Sequence, residues 1–137
     1  MLRREFVAVL SLLTAGATLG LVTRAVPAAP PASRSKTVRL IVDYGDGVEK
    51  HFSAITWQNG MTVFEALRAA AAHTHGIAMK YRGKGATLFV ERIDDLKNEG
   101  RGNNWTFRVN GRLADRSCGI QTIKAGDTIL WRFGKYR

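Results

Sequence analysis

The stretch from Gly102 to Gly111, GNNWTFRVNG, constrains the fold more than any other part of this chain. Trp105, Phe107 and Val109 alternate with polar residues, which is the period of a strand with one buried and one solvated face. Asn110-Gly111 then predicts a turn, because both residues tolerate a positive φ at low steric cost. The stretch therefore predicts a strand that begins after a loop and ends in a tight turn.

An antiparallel hairpin is predicted near residue 37. Thr37 to Tyr44 alternates between apolar and other residues, and Val48 to Ile55 continues as a second strand with Phe52 as its main apolar residue. Gly45-Asp46-Gly47 separates the two strands with residues typical of turns.

A single amphipathic helix is predicted after the hairpin. Thr62-Val63-Phe64-Glu65 has the spacing of a capping box, in which the Thr hydroxyl and the Glu carboxylate each bind a backbone N–H. We expect the helix to run from Val63 to about His73 and to stop by Gly76. Its predicted core stripe is Val63, Phe64, Leu67, Ala70 and Ala71.

Further strands are predicted at 77–82, at 86–93 and at Thr128–Phe133, with a polar loop over 94–102 and an irregular connection over 113–124. Leu88, Phe89 and Val90 are continuous, so we expect both faces of that strand to be covered. The order of hairpin, helix and strands predicts an α+β fold over residues 37–137, a β-grasp (ubiquitin-like) mixed sheet with one helix on it. One core cluster is expected: Trp105, Phe107 or Val109, Leu67, Leu40 and Trp131.

Residues 1–28 have the features of an export signal. Arg3 and Arg4 precede an uncharged, largely apolar run from Phe6 to Val22, and small residues favour cleavage after Ala28. Arg3-Arg4-Glu5-Phe6-Val7 resembles the twin-arginine signature, which predicts export from a bacterial cytoplasm to the periplasm, the cell surface or the medium. An uncleaved N-terminal anchor is the alternative, and it would be the chain's one contact with a membrane. Residues 29–36 are expected to be a disordered linker.

The net charge of +10 is distributed along the chain without a basic run. Residues 29–137 contain 18 basic and 10 acidic side chains, a net charge of +8. Such a charge suits nucleic acid, anionic lipid or an acidic polymer, but it is also an ordinary solvated surface. Because export is predicted, we expect no nucleic-acid partner.

Neither a metal site nor an enzyme is predicted. A metal site would need His73 and His75 with His51 as a third ligand. His73 and His75 do not share a helix face, and no carboxylate sits at a supporting spacing, so we do not expect this site. The acids Asp43, Asp46 and Glu49 lack the spacing of a calcium loop and are expected to be turn acids. Cys118 is the sole cysteine, which excludes an internal disulfide, and we expect a small buried side chain rather than a reactive thiol.

Several short motifs together resemble a known family. They are Asp43–Gly47, Gly60–Leu67, Phe89-Val90, Asn104-Trp105, Val109–Gly111 and Gly126–Trp131. Their order resembles an uncharacterised domain family similar to the C-terminal β-domain of transcobalamin and intrinsic factor, and the likeness covers about residues 36–134. It implies the β-grasp fold and a relation to soluble-ligand-binding modules.

In the vitamin carriers this domain closes over one face of cobalamin, with strands that match Leu88–Ile93 and Trp105–Phe107. The resemblance implies an exported module that binds a small flat ligand, cobalamin or a related tetrapyrrole. Together with local chemistry it predicts a site at Phe89, Asn104 and Trp105: no second layer is identified for one apolar face of the strand at Phe89, and Asn amides nearby can orient a ligand. The alternative is a non-enzymatic protein-interaction or cell-surface accessory domain with a partner protein.

Overall fold

The computed structural model describes residues 36–136. The predicted export signal lies outside the described residues, and so does the predicted linker except for Lys36. Within the described part of the chain, no helix is long and apolar enough to cross a membrane.

The predicted hairpin is present as β1 (Thr37–Asp43) and β2 (Glu49–Thr56), which pair antiparallel. In the turn, Gly45 and Gly47 adopt φ of 82° and 96°, a conformation that glycine reaches without steric cost. The register shifts between Val38 and Leu40, which places a bulge in the pair. Strand β1 turns one side to the core, as its alternation predicts.

The predicted strand at Trp105 forms β6 (Asn104–Val109), and its turn leads into the two-residue strand β7 (Arg112–Leu113). The last strand, β8 (Thr128–Gly134), lies between β1 and β6. It runs parallel to β1 and antiparallel to β6. The five-stranded sheet, which we call the large sheet, therefore has the order β2-β1-β8-β6-β7. This mixed sheet with one helix confirms the α+β prediction.

Helix α1 spans Val63–Ala71, two residues shorter than predicted. The capping box is formed, with the Glu65 N–H 3.2 Å from Thr62 Oγ1 and the Thr62 N–H 3.3 Å from Glu65 Oε2. Its buried residues differ from the predicted stripe by Ala66, which replaces the partly buried Ala71.

One core joins the sheet and the helix, and it contains the predicted cluster around Trp105. Leu40 and Leu67 are fully buried, while Trp105, Phe107 and Trp131 are no more than 9% exposed. In register, Trp105 pairs with Phe133 and Phe107 with Trp131, so these four rings share the buried side of the sheet.

A second sheet contradicts three of the predictions. We call it the small sheet, and its strands are β3 (Met79–Arg82), β4 (Phe89–Ile93) and β5 (Leu96–Lys97), all antiparallel. The predicted loop over 94–102 therefore contains a strand, and β4 begins three residues later than expected because Gly85–Thr87 forms a turn of 3-10 helix. The expectation that both faces of β4 are covered is also wrong, since Phe89 is 44% exposed.

The irregular segment between β7 and β8 covers the beginning of α1. The N–H groups of Val63 and Phe64 donate to the carbonyls of Gln121 and Cys118 at 2.9 and 3.0 Å. The first N–H groups of a helix have no intrahelical acceptor, so this segment satisfies two of them.

Candidate functional site

Trp105 is a core residue and offers no exposed face for a ligand. It is 6% exposed, and its indole Nε1–H donates to the carbonyl of Leu96 at 2.8 Å. Its ring lies edge-on to Tyr44, with centroids 5.8 Å apart, and is tilted against Phe133 at 5.2 Å. This predicted site residue therefore joins β6 of the large sheet to β5 of the small sheet.

Asn104 braces the loop that enters β6. Its side-chain oxygen accepts from the N–H of Gly100 at 2.9 Å, and its amide nitrogen donates to the carbonyl of the same residue at 2.8 Å. Both polar atoms of the amide are thus engaged within the loop. The side chain holds the loop in shape rather than pointing free donors outward.

The side chain of Asn98 links β6 to the small sheet. Asn98 Oδ1 accepts from the backbone N–H of Trp105 at 2.7 Å, and Asn98 Nδ2 donates to the carbonyl of Val90 at 2.9 Å. Strand β6 is therefore tied to β4 through one side chain. The sequence shows Asn98 only as part of a polar loop, because its two partners lie in different strands.

Phe89 is the member of the predicted trio that faces solvent. It is 44% exposed at the start of β4, directly opposite Arg82 on β3. The Arg82 guanidinium lies over the ring, 5.0 Å from its centroid, and Arg82 Nε is 3.5 Å from Glu91 Oε1. A cation is attracted to the face of an aromatic ring, and the planar guanidinium of Arg82 therefore places a second flat group beside Phe89.

Tyr81 and Trp57 are two other aromatic residues on which a ligand could stack, but neither lies on the same face as Phe89. Tyr81 is 43% exposed but is paired with the buried Val90, so it lies on the opposite side of the small sheet, with its ring 4.7 Å from that of Phe64. Trp57 is half-buried, and its indole N–H donates to the carbonyl of Ile123 at 2.8 Å.

A polar network joins the first hairpin to the turn after β4. The Tyr44 hydroxyl donates to Asp94 Oδ2, Lys50 Nζ lies 3.3 Å from the same oxygen, and the N–H of Ala78 donates to Asp94 Oδ1 at 2.9 Å. Burial by itself would raise the pKa of Asp94, but these hydrogen bonds and the Lys50 charge outweigh it and lower the pKa below its usual value. Burial, followed by the Asp94 interaction, raises the pKa of Tyr44.

The histidines considered as metal ligands come close to one pocket of about 510 Å³ beside β2. Its lining includes His51, His73 and His75, but His51 Nε2 is 2.8 Å from Glu49 Oε1 and His73 packs edge-on against Phe52. Among residues 36–136, no group of three His, Cys, Asp or Glu side chains is placed to hold a metal ion.

The acids of the first turn bind backbone N–H groups. Asp43 Oδ1 accepts from Gly45 at 2.8 Å, and Asp46 Oδ1 accepts from Val48 at 3.0 Å. Cys118 is buried, and this burial raises the pKa of its thiol to about 11. A thiol in this state is a poor nucleophile, because the thiolate is the reactive form.

Comparisons with known proteins agree with the fold. The sequence profile of a domain of unknown function, DUF4430, matches residues 60–135. A candidate metal-binding protein from Ruminococcus gnavus ATCC 29149, solved at 1.30 Å resolution, is similar at a TM-score of 0.59 and 16% identity, over 74% of this chain and 99% of that one.

Haptocorrin in complex with Cbi is similar at a TM-score of 0.60 and 17% identity. The likeness covers 80% of this chain but 27% of haptocorrin, so the chain spans about a quarter of that protein. This likeness supports the predicted resemblance to the transcobalamin β-domain at the level of the fold. A search of curated proteins finds no match.

Proposed function

The chain belongs to the DUF4430 family of domains, and from this premise we propose that it is an exported, non-enzymatic module that binds a small flat ligand on the small sheet. The ligand would stack on Phe89 and Arg82. The observation that carries the proposal is the exposed Phe89 ring with a guanidinium over it, on a sheet face that no other element of residues 36–136 covers. Cobalamin or a related tetrapyrrole is the ligand class that haptocorrin's complex with Cbi suggests.

The hydrogen bonds beneath this face support the proposal. Trp105 holds Leu96 through its indole N–H, and Asn98 joins β6 to β4. Asn104 braces the loop that lies between them. We assign ligand contact to Phe89, and we assign Asn104 and Trp105 the role of positioning the strands beneath it. A preorganised face loses less free energy to ordering when a ligand binds.

Export is part of the proposal and rests on Arg3, Arg4 and the apolar run from Phe6 to Val22. A ligand covered on one side only should bind with micromolar or weaker affinity, since little of its surface leaves water.

Fluorescence titration of the chain with cobalamin and with other tetrapyrroles tests the proposal, because a bound tetrapyrrole quenches tryptophan emission. We expect saturable quenching that Phe89→Ala weakens about tenfold, which corresponds to about 1.4 kcal/mol of stacking. Ile120→Ala is the matched control, because Ile120 is 43% exposed on a different segment and should change nothing. If no tetrapyrrole gives saturable quenching, ligand binding of this kind is refuted.

The alternative function, a protein-interaction or cell-surface accessory domain, is favoured by the position of β2. This eight-residue strand ends the large sheet, with no further strand beside it among residues 36–136. A free edge can add a strand from a partner through backbone hydrogen bonds. Ser53→Pro would block such pairing, so a binding partner lost with Ser53→Pro but kept with Phe89→Ala would support the alternative.

A further inference from the structure

Three cationic side chains stand side by side across the small sheet. Lys80 on β3 is directly opposite Arg92 on β4, and Arg92 is directly opposite Lys97 on β5. All three residues are exposed. Neighbouring strands are roughly 4.8 Å apart, so the three residues form a row about 10 Å long on one side of the sheet. We call Lys80, Arg92 and Lys97 the basic row.

The basic row lies on the same side of the small sheet as Phe89. Lys80 and Arg82 are two residues apart on β3, so they share a face. Arg82 is the direct partner of Phe89 on β4. The register shift between Lys80 and Tyr81 leaves one extra residue, Glu91, on β4 between the two pairs. The ring is therefore next to the cations on one continuous surface.

The charges of the basic row are not compensated within the described residues. Among residues 36–136, none of the three side chains makes an ion pair or a side-chain hydrogen bond. The acid of this face, Glu91, pairs with Arg82. Like charges placed directly opposite one another across strands destabilise a sheet. We therefore expect the row to lower the stability of the free protein, and an anion bound across it would remove that cost.

We propose that the ligand of this face carries several anionic groups at the edge of its flat ring, as a tetrapyrrole with carboxylate side chains does. The ring would stack on Phe89 while the carboxylates bind the basic row. This inference rests on the proposed function and narrows its ligand class. It predicts that neutral and cationic rings of the same size bind less well, because they leave the like-charge repulsion in place.

Two synthetic porphyrins with one common ring test the inference, one with four carboxylates and the other with four quaternary ammonium groups. Titration of the full chain at low salt should show the anionic porphyrin binding at least about tenfold more tightly. Raising the salt should reduce that preference, because exposed charges are screened over about 8 Å at physiological ionic strength.

A charge-matched pair of variants separates the basic row from the general positive charge of the protein. The first variant combines Lys80→Gln, Arg92→Gln and Lys97→Gln, and it should lose most of the preference for the anionic porphyrin. The control combines Arg39→Gln, Arg112→Gln and Lys124→Gln, which are exposed residues outside the small sheet, and it should keep the preference.

The same variants give a second readout that does not need a ligand. Neutralising the basic row should raise the melting temperature by about 2 °C or more, since it removes the repulsion between opposite strands. A lower melting temperature would show that the row stabilises the sheet and would overturn the inference.

The remaining outcomes also decide between the two proposals. Equal binding of both porphyrins, or an anionic preference that survives loss of the basic row, overturns the inference and leaves the proposed function standing. Binding of neither porphyrin, and of no other tetrapyrrole, overturns the proposed function together with it. Binding of polyphosphate through the row with no effect of Phe89→Ala would assign the surface to an acidic polymer and overturn the flat ligand.

Discussion

Replacing Trp105 by alanine tests whether this residue belongs to the core or to a ligand site. Its ring is 6% exposed and packs against Tyr44 and Phe133. Truncating a buried aromatic costs about 3–5 kcal/mol, and loss of the indole hydrogen bond to Leu96 adds about 1 kcal/mol. The total of about 4–6 kcal/mol is a large part of the roughly 5–15 kcal/mol that stabilises a domain.

Thermal unfolding followed by circular dichroism measures this loss. One kcal/mol shifts the melting temperature of a domain of this size by roughly 4–8 °C, so Trp105→Ala should lower it by at least about 15 °C. Trp105→Phe keeps an aromatic ring but not the N–H, and it should cost about 1–3 kcal/mol.

The control is Tyr136→Ala, because Tyr136 is 72% exposed and its loss should change the melting temperature little. If Trp105→Ala melts within a degree or two of the unchanged chain, the assignment of Trp105 to the core is refuted. Equal losses for alanine and phenylalanine would instead show that the hydrogen bond to Leu96, and not the packing of the ring, carries the stability.

Three further predictions concern other parts of the chain. Thr62→Ala should cost about 1 kcal/mol in denaturant unfolding because the capping hydroxyl is lost, whereas Thr62→Ser should cost little; equal losses would indicate that the methyl group matters. Asp94→Asn should destabilise the chain near pH 6. Because the pKa of Asp94 is lowered on folding, the loss of stability in Asp94→Asn should be present above about pH 4 and should disappear as the pH falls through the folded-state pKa. A loss of stability that does not depend on pH would contradict the ionic role of Asp94. Arg3→Lys combined with Arg4→Lys should stop export in cell fractionation, and continued export would indicate the general secretory route.

The elements that could be predicted from sequence depend on residues close together in the chain. The alternation around Trp105, the glycine turn at Gly45 and the capping box at Thr62 are each visible within about ten residues. Strand β5 could not be predicted in this way. Leu96 and Lys97 form a strand because β4 lies beside them, and their local sequence resembles a polar loop.

The candidate site stays a prediction, in which the sequence indicates residues but not their exposure. Phe89, Asn104 and Trp105 are identified by a resemblance to a family together with local chemistry, and the family's fold is present. Which of the three faces solvent depends on the register of β3 against β4 and on the packing of β6 against the small sheet. The sequence pattern contains neither the Asn98 link nor the alignment of the basic row, since both join residues on different strands.

The sequence by itself determines the strand periods, the turns and the helix start, because propensity, steric freedom at glycine and capping act over a few residues. Tertiary structure alone decides that Trp105 is buried while Phe89 is exposed, although both lie in apolar strand patterns. The physical reason is that burial depends on which layer covers a face. Trp105 is covered by Leu96 of the small sheet and by the rings of Tyr44 and Phe133, whereas no element of residues 36–136 covers the side of the small sheet that holds Phe89.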